Sequence, residues 1–172
     1  AYGGSARRYF YLGLLAYDEG RYADAAAYFK ILKSKDPAVD YFIGSALLFS
    51  GERMEALGYL MLSRRWKTPW PYLALASYYE MEKDQTLSLE NLAQAENETY
   101  DFEKNLATDI QVKKGELLFL KQNYEEALFY AMQVYERDKE KSLSLIDPGE
   151  IYLAWGKSAE AEAFWKKASE DV

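Results

Sequence analysis

The chain has 172 residues, of which 49% are apolar and 28% are charged, and its formal net charge is −7 at pH 7. This balance predicts a packed globular protein rather than a disordered one, and an acidic chain is a poor general binder of nucleic-acid phosphates. The absence of Cys and His excludes disulfides, thiol catalysis, and the commonest general base and transition-metal ligand.

A short turn-and-helix motif recurs along the chain. It begins at residues 20, 51, 83, 122 and 156, as GRYADA, GERMEA, the weaker KDQTLS, QNYEEA and GKSAEA. The steps of 31, 32, 39 and 34 residues predict an array of helical hairpins, because such hairpins repeat with periods of this size. One hairpin cannot bury its own apolar face, so we expect successive copies to stack.

The first hairpin is predicted over residues 5–37. Its first helix ends at Gly20, since Gly readily adopts the left-handed conformation of a helix C-terminus. Its second helix runs from about Tyr22 and is stopped by Asp36-Pro37. Gly13 and Ala25 are small, so we expect them to let the two helices cross closely.

Four further units are predicted, over residues 38–67, 68–99, 100–141 and 142–172, all within a single domain of residues 1–172. The fourth unit has a long first helix, from about Asp101 to Lys121, which absorbs the 39-residue step. The fifth unit is short and begins at Asp147-Pro148, with Asp147 as the N-cap. The predicted fold is therefore all-α, with about five helix-turn-helix hairpins.

Residues 9–37, YFYLGLLAYDEGRYADAAAYFKILKSKDP, resemble a tetratricopeptide repeat, and the likeness is strong over residues 6–66 and looser beyond. The matching positions are Tyr9, Leu12, Gly13, Gly20, Tyr22, Ala25, Phe29 and Asp36-Pro37. The resemblance implies a right-handed α-solenoid whose first helices line a concave face that binds a peptide or amphipathic helix of another protein. The groove positions that it implies are Phe10, Leu14, Tyr17, Tyr41, Ser45, Phe49, Leu73, Ser77 and Glu80, followed in the fourth unit by Val112, Glu116 and Phe119.

The first helices of the first two units are unusually apolar. Phe10, Leu14 and Tyr17 are spaced i, i+4 and i+7 and form one stripe, and residues 41–51, YFIGSALLFSG, carry no charge. One interpretation is a central helix that neighbouring helices cover on both sides. The other is that Tyr41 and Phe49 face a groove that receives an apolar segment of a partner, because contiguous apolar surface usually marks an interaction site.

Other functions find little support in the sequence. The basic and aromatic stretch RRWKTPW at residues 64–70 is typical of a helix end, so nucleic-acid binding is not predicted. Phe10 and Leu14 stand where the family's carboxylate clamp has Lys and Asn, which argues against binding of chaperone tails. The acidic pairs Glu125-Glu126 and Glu160 with Glu162 are expected to face water, so neither catalysis nor a metal or other cofactor is predicted.

Two alternatives to a scaffold or adaptor stay open. One is a small secretion-type chaperone with a hydrophobic groove. The other is a self-assembling homo-oligomer, because residues 1–71 hold 10 basic and 7 acidic groups, a net of +3, and residues 72–172 hold 11 and 21, a net of −10. No run of about 18 apolar residues predicts a membrane span, so we expect a soluble protein of the cytoplasm or periplasm. The start at AYGGSA without Met fits a processed form or a fragment.

Overall fold

The computed structural model describes residues 4–32, 35–100 and 103–170, and the helices within these ranges fall into two compact units, Ala1–Glu98 and Thr99–Val172. Unit 1 contains α1 (Gly4–Asp18), α2 (Tyr22–Ile31), α3 (Pro37–Ser50), α4 (Arg53–Ser63), α5 (Pro69–Met81) and α6 (Gln85–Asn97). Unit 2 contains α7 (Lys104–Leu120), α8 (Tyr124–Arg137), α9 (Lys139–Leu145), α10 (Pro148–Ala154) and α11 (Ser158–Glu170). The predicted all-α fold of helix hairpins is confirmed. A single domain over residues 1–172 stays a prediction, as do the outer boundaries of its five repeats.

Every hairpin in the described residues turns at a residue in the left-handed conformation. These residues are Gly20, Gly51, Lys83, Gln122 and Gly156, with φ angles of 74°, 94°, 60°, 60° and 79°. At each turn the next N–H donates to the carbonyl five residues before it, as from Arg21 to Ala16 and from Asp84 to Tyr79, both at 2.8 Å. Together with an i→i−3 bond, this bond closes the end of the helix. The five left-handed residues are the first residues of the five sequence motifs. The recurring sequence motif therefore marks a recurring turn geometry.

Small residues flank each turn at constant distances. Seven residues before the turn stand Gly13, Gly44, Ala76, Gly115 and Gly149, and five residues after it stand Ala25, Ala56, Ser88, Ala127 and Ala161, all of them buried. A Cβ atom on Gly13 would overlap the Phe29 ring, and one on Gly44 would lie 2.8 Å from the Leu60 side chain. The glycines therefore make room for a large side chain of the second helix, a more specific role than the close backbone crossing expected from sequence.

In unit 1 the three hairpins α1/α2, α3/α4 and α5/α6 stack in chain order, with α2 packed on α3 and α4 on α5. The second hairpin begins as expected, because the Asp36 carboxylate accepts a 2.9 Å hydrogen bond from the Ala38 N–H and Pro37 opens α3. The core contains Phe29, Leu60 and Leu75, all of which are fully buried. This packing fixes the positions of the first helices α1, α3 and α5.

In unit 2 the hairpins α7/α8 and α10/α11 stack through α8 and α10. Helix α7 extends from Lys104 to Leu120, which confirms the long first helix over the described residues, whereas Asp101 lies outside them. Helix α10 is short, as predicted, and begins where the Asp147 carboxylate accepts a 2.7 Å hydrogen bond from the Gly149 N–H.

Helix α9 was not expected from the sequence. It packs on α8, where the Ser142 hydroxyl donates to the Ala131 carbonyl at 3.2 Å, and Lys141 forms an ion pair with Asp109 of α7. This short helix lies between α8 and the short helix α10 and carries the chain to residues 145–147.

The packing of the fourth hairpin departs from that of the others. Nine residues after the turn its second helix offers only Ala131, whereas the other hairpins have Phe29, Leu60, Leu92 and Trp165 at this place. The space over Gly115 is filled instead by Ile146 from the end of α9, whose Cδ1 a Cβ on Gly115 would overlap. The connector after α9 is therefore part of the core of unit 2.

Candidate functional site

The first helices of the first two hairpins lie side by side in register. The ring of Phe10 on α1 lies 5.5 Å from that of Phe42 on α3, and the ring of Tyr17 lies 6.1 Å from that of Phe49. Both pairs are 32 residues apart, so α1 and α3 run in the same direction, one repeat from each other. Side chains of the two helices consequently form one continuous face.

Three aromatic rings cluster at the C-terminal ends of α1 and α3. Tyr22, the first residue of α2, lies 5.2 Å from Tyr17 and 5.2 Å from Phe49 between ring centroids. Phe49 keeps 50% of its surface exposed even within this cluster. The cluster is held by three different helices, so it presents a fixed aromatic surface rather than a single mobile ring.

The hydroxyl groups beside this cluster are neutral donors at physiological pH. Burial, reinforced by the neighbouring phenols of Tyr41 and Tyr22, raises the pKa of Tyr17 to about 12. Burial also raises the pKa of Tyr41, whose ring lies 5.6 Å from that of Trp66. We name the face formed by Tyr17, Tyr22, Tyr41 and Phe49 the aromatic face.

Ser45 lies beneath the aromatic face rather than on it. It is one turn from Tyr41 and one turn from Phe49 on α3, yet only 3% of its surface is exposed. Its proximity lowers the pKa of Tyr41 and so opposes part of the effect of burial, but its Oγ makes no hydrogen bond of good geometry within the described residues. A ligand would reach this hydroxyl only by displacing a neighbouring side chain.

The remaining predicted groove residues of unit 1 are only partly available. Phe10 and Leu14 are half-buried and pack against the core, with the Phe10 ring 5.8 Å from that of Phe29. Leu73, Ser77 and Glu80 are half-buried along α5. The structure thus brings Tyr17 and Phe49 into contact, and it adds Tyr22, which the sequence marked only as a motif position after the turn. Tyr41 contacts Trp66 and is near enough to Tyr17 to raise the pKa of that phenol.

The basic and aromatic stretch at residues 64–70 takes part in packing. Arg65 forms an ion pair with the buried Asp40 at 3.1 Å, and the Arg64 guanidinium lies 5.4 Å from the centroid of the Tyr72 ring. Trp66 is the ring that contacts Tyr41. These contacts give Arg64, Arg65 and Trp66 structural roles within unit 1.

Unit 2 contains a separate pocket of about 290 Å³ that sequence reasoning found only in part. Helix α7 contributes Glu116, Phe119 and Leu120, and the opposite side is formed by residues 145–147 and the start of α10, with Glu150 and Ile151. Glu116 and Phe119 were among the implied groove positions, whereas Val112 is buried in the core. The far side could not be found from sequence, because it depends on the unexpected helix α9.

Buried charge in unit 2 is compensated locally. Lys114, which stands at a position where the repeat has an apolar residue, is buried, and its ammonium lies 4.3 Å from the centroid of the Tyr130 ring. A cation over an aromatic face is stabilised by the ring's quadrupole. In contrast, Glu125, Glu126, Glu160 and Glu162 are all exposed, as the sequence predicts.

Within the described residues, no helix has both the length and the apolar character needed to cross a membrane. The same part of the chain contains no group of three or more acidic side chains placed to hold a metal ion.

Solved structures of MamA have the same fold. A crystal structure of MamA matches with a TM-score of 0.78 and 17% identity, over 98% of this chain and 92% of that one. MamA from Desulfovibrio magneticus RS-1, from residue 41 to its end, matches with a TM-score of 0.78 and 17% identity, over 99% and 96%. MamA of AMB-1 matches with a TM-score of 0.75 and 18% identity, over 96% and 90%. No family model matches the chain, and no curated protein matches it by sequence. At this identity the likeness shows the fold alone.

Proposed function

We propose that this protein is an interaction module that holds a peptide segment or amphipathic helix of another protein against the aromatic face. The observation that carries the proposal is Phe49, which stays half exposed between Tyr17 and Tyr22. Phe49 forms contiguous apolar surface with Tyr17 and Tyr22, and contiguous exposed apolar surface usually marks an interaction site. The neutral phenols of Tyr17 and Tyr41 add hydrogen-bond donors beside the apolar ring.

The exposed part of Phe49 sets the scale of its contribution. An aromatic side chain buries roughly 150–250 Å². Half of that area, at about 25 cal/mol per Å², corresponds to about 2.5 kcal/mol. Micromolar affinity requires about 8 kcal/mol after the entropic costs of association. Phe49 is therefore one anchor among several, and neighbouring contacts with Tyr22 and Tyr41 are needed to complete the site.

A peptide-display selection on the full chain tests this proposal. Selected peptides are measured by fluorescence anisotropy against the native chain, Phe49→Ala and the double variant Tyr41→Ala with Phe49→Ala. Phe129→Ala is the matched control, because Phe129 is a Phe of similar exposure on α8 of unit 2. We expect Phe49→Ala to weaken binding at least about ten-fold, or about 1.4 kcal/mol.

The control and the double variant decide between outcomes. Equal loss in Phe49→Ala and Phe129→Ala would show nonspecific adhesion to exposed rings. Full binding by a double variant whose circular dichroism spectrum is native would exclude the aromatic face. Peptides that bind only in unfolded, extended form would favour the chaperone alternative over an adaptor.

Self-assembly is a second candidate, and the exposed side chains of α1 favour it. Tyr11 and Leu15 are more than half exposed, and Arg7 and Arg8 precede them on the same helix. This apolar and basic surface complements the acidic remainder of the chain in charge. Light scattering at increasing concentration tests it: self-assembly predicts a rising mass that Leu15→Asp suppresses, whereas a constant monomer mass excludes it.

The function proposed here is not enzymatic and involves no cofactor. The acidic pairs on α8 and α11 are exposed to solvent and do not line the pocket of unit 2. Nucleic acid is not a proposed partner, because Arg64 and Arg65 of the basic stretch make contacts within unit 1.

A further inference from the structure

The pocket of unit 2 has an apolar floor that the unit itself leaves open. Leu120 at the end of α7 is 65% exposed and Leu145 at the end of α9 is 51% exposed, although both line the same concavity. Phe119 and Ile151 complete the floor. Ile146 packs into the core over Gly115 and also lines the concavity, where Leu120 and Leu145 stay exposed. The size of about 290 Å³ lies at the small end of ligand pockets, which begin near 300 Å³, so it suits one or two side chains.

The rim of this pocket is acidic. Glu116, Asp147 and Glu150 line it, and no Lys or Arg does. Asp147 is fixed in place, because one carboxylate oxygen accepts from the Gly149 N–H at 2.7 Å and the other accepts from Trp165 Nε1 at 2.9 Å. Glu116 is only loosely paired, with its carboxylate 3.8 Å from Lys113, and Glu150 is exposed.

The charge of the surrounding unit has the same sign as the rim. Residues 99–172 contain 15 acidic and 10 basic groups, a net of −5. The electrostatic field of unit 2 therefore attracts cationic groups toward this pocket. The apolar floor of the pocket favours apolar side chains. An acidic partner would meet like charge at three rim positions.

We propose that this pocket binds a short cationic amphipathic helix of another protein, whose apolar side chain enters between Leu120 and Leu145 while adjacent Lys or Arg residues pair with Glu116 and Glu150. The proposal names the chemistry of a partner for the interaction function proposed above, but it rests on unit 2 and not on the aromatic face. If one of the two proposed binding sites is disproved, the other proposal still stands. Variants in unit 1 and in unit 2 show which of the two sites binds the peptide.

The test uses a fluorescein-labelled Leu/Lys peptide of about 14 residues, which forms about four helical turns, and its counterpart with Glu in place of Lys. Anisotropy with the full chain is expected to show binding of the Lys peptide only. Raising NaCl from about 0.1 to about 1 M shortens the screening length from about 10 to about 3 Å and should weaken this binding.

Two pairs of variants locate the binding. Glu116→Gln with Glu150→Gln should weaken it about five-fold, while Glu125→Gln with Glu126→Gln makes the same charge change on exposed α8 positions and should leave it nearly unchanged. Leu120→Asn should weaken it, whereas Leu153→Asn, an exposed leucine that does not line the pocket, should not. Circular dichroism confirms that each variant is folded.

Three results would overturn the proposal: no binding of the Lys peptide, equal binding of the Glu peptide, or equal weakening by the α8 control pair. The last would mean that the peptide responds to net charge alone. Loss of binding in Phe49→Ala with full binding in the pocket variants would assign the peptide to the aromatic face instead.

Discussion

Two glycines in the second hairpin should respond in opposite ways to the same substitution. A Cβ atom on Gly44 of α3 would lie 2.8 Å from Cγ and Cδ2 of Leu60 and 3.0 Å from its backbone N. Leu60 is fully buried, so it has no free space to move into. Gly58 lies inside α4 on the exposed side, and a Cβ there would meet no atom within 4 Å.

The magnitudes follow from these distances. Ala is favoured over Gly inside a helix by about 0.8–1.0 kcal/mol, and both variants gain this amount. Gly44→Ala also overpacks the core, which typically costs about 1–3 kcal/mol. We therefore expect Gly58→Ala to stabilise by up to about 1 kcal/mol, and Gly44→Ala to be destabilising by up to about 2 kcal/mol. The two free energies of unfolding should differ by about 1–3 kcal/mol.

Urea unfolding measures this difference. Trp66 and Trp70 lie in unit 1, and Trp155 and Trp165 lie in unit 2, so Trp fluorescence follows the unfolding of both units. Far-UV circular dichroism follows helix loss in the whole chain. The comparison is valid where the dependence of unfolding free energy on urea is unchanged between variants. A Gly44→Ala variant as stable as Gly58→Ala would show that α3 and α4 do not interlock through Leu60, and the packing described for the second hairpin would then be wrong.

The remaining predictions concern single features of the same repeats. Lys83→Gly should stabilise the chain by about 1 kcal/mol in thermal or urea unfolding. Lys83 has a φ of 60°, a left-handed conformation that costs a residue with a Cβ atom roughly 1–2 kcal/mol. An unchanged stability would mean that this turn is not left-handed. Ser88→Ala should also stabilise, by about 1 kcal/mol, since its buried Oγ makes no hydrogen bond within the described residues, and a loss of stability would reveal a hidden partner. For Tyr17, the raised pKa of about 12 means that stability is full below pH 10 and falls as pH rises from 10 through 12, because the unfolded chain ionises first. The pKa values of Tyr41 and Tyr78 are also raised, so absorbance titration near 295 nm should show several late-titrating phenols, of which Tyr17→Phe removes one. An unchanged titration in that variant would contradict the assignment.

The repeat could be predicted from sequence because its positions hold residue types with strong local conformational preferences. A left-handed turn after a helix favours Gly, and close packing beside it requires small residues, so the positions of Gly20, Gly51 and Gly156 mark three turns directly. Lys83 and Gln122 were found only through the period, since neither residue type signals a left-handed backbone. All five motifs begin at a left-handed residue, so the spacing between motifs located two turns, at Lys83 and Gln122, that the residue types at these positions do not indicate.

The candidate sites were harder to predict, because exposure depends on tertiary packing. Phe10 and Phe49 were both implied groove positions on successive first helices, yet Phe10 is packed between Phe29 and Phe42 while Phe49 stays half exposed. Ser45 has the same helical phase as Tyr41 and nevertheless lies underneath it. Periodicity assigns a residue to a face of a helix, whereas its accessibility depends on the size of the neighbouring side chains.

The pocket of unit 2 arises from one departure from the repeat. Because Ala131 stands where the other hairpins have a large side chain, the space above Gly115 needs another occupant, and Ile146 supplies it. Bringing Ile146 into the core places Leu145 and the carboxylate of Asp147, its neighbours in sequence, beside Leu120 of α7. Functional sites are expected where a protein departs from an otherwise consistent packing pattern, because such sites are often built at the expense of regular packing. The irregular packing of the fourth hairpin thus creates an apolar and acidic recess and sets this hairpin apart from the others. A large side chain at position 131 would fill the space over Gly115 itself, and Ile146 would then not be drawn into the core.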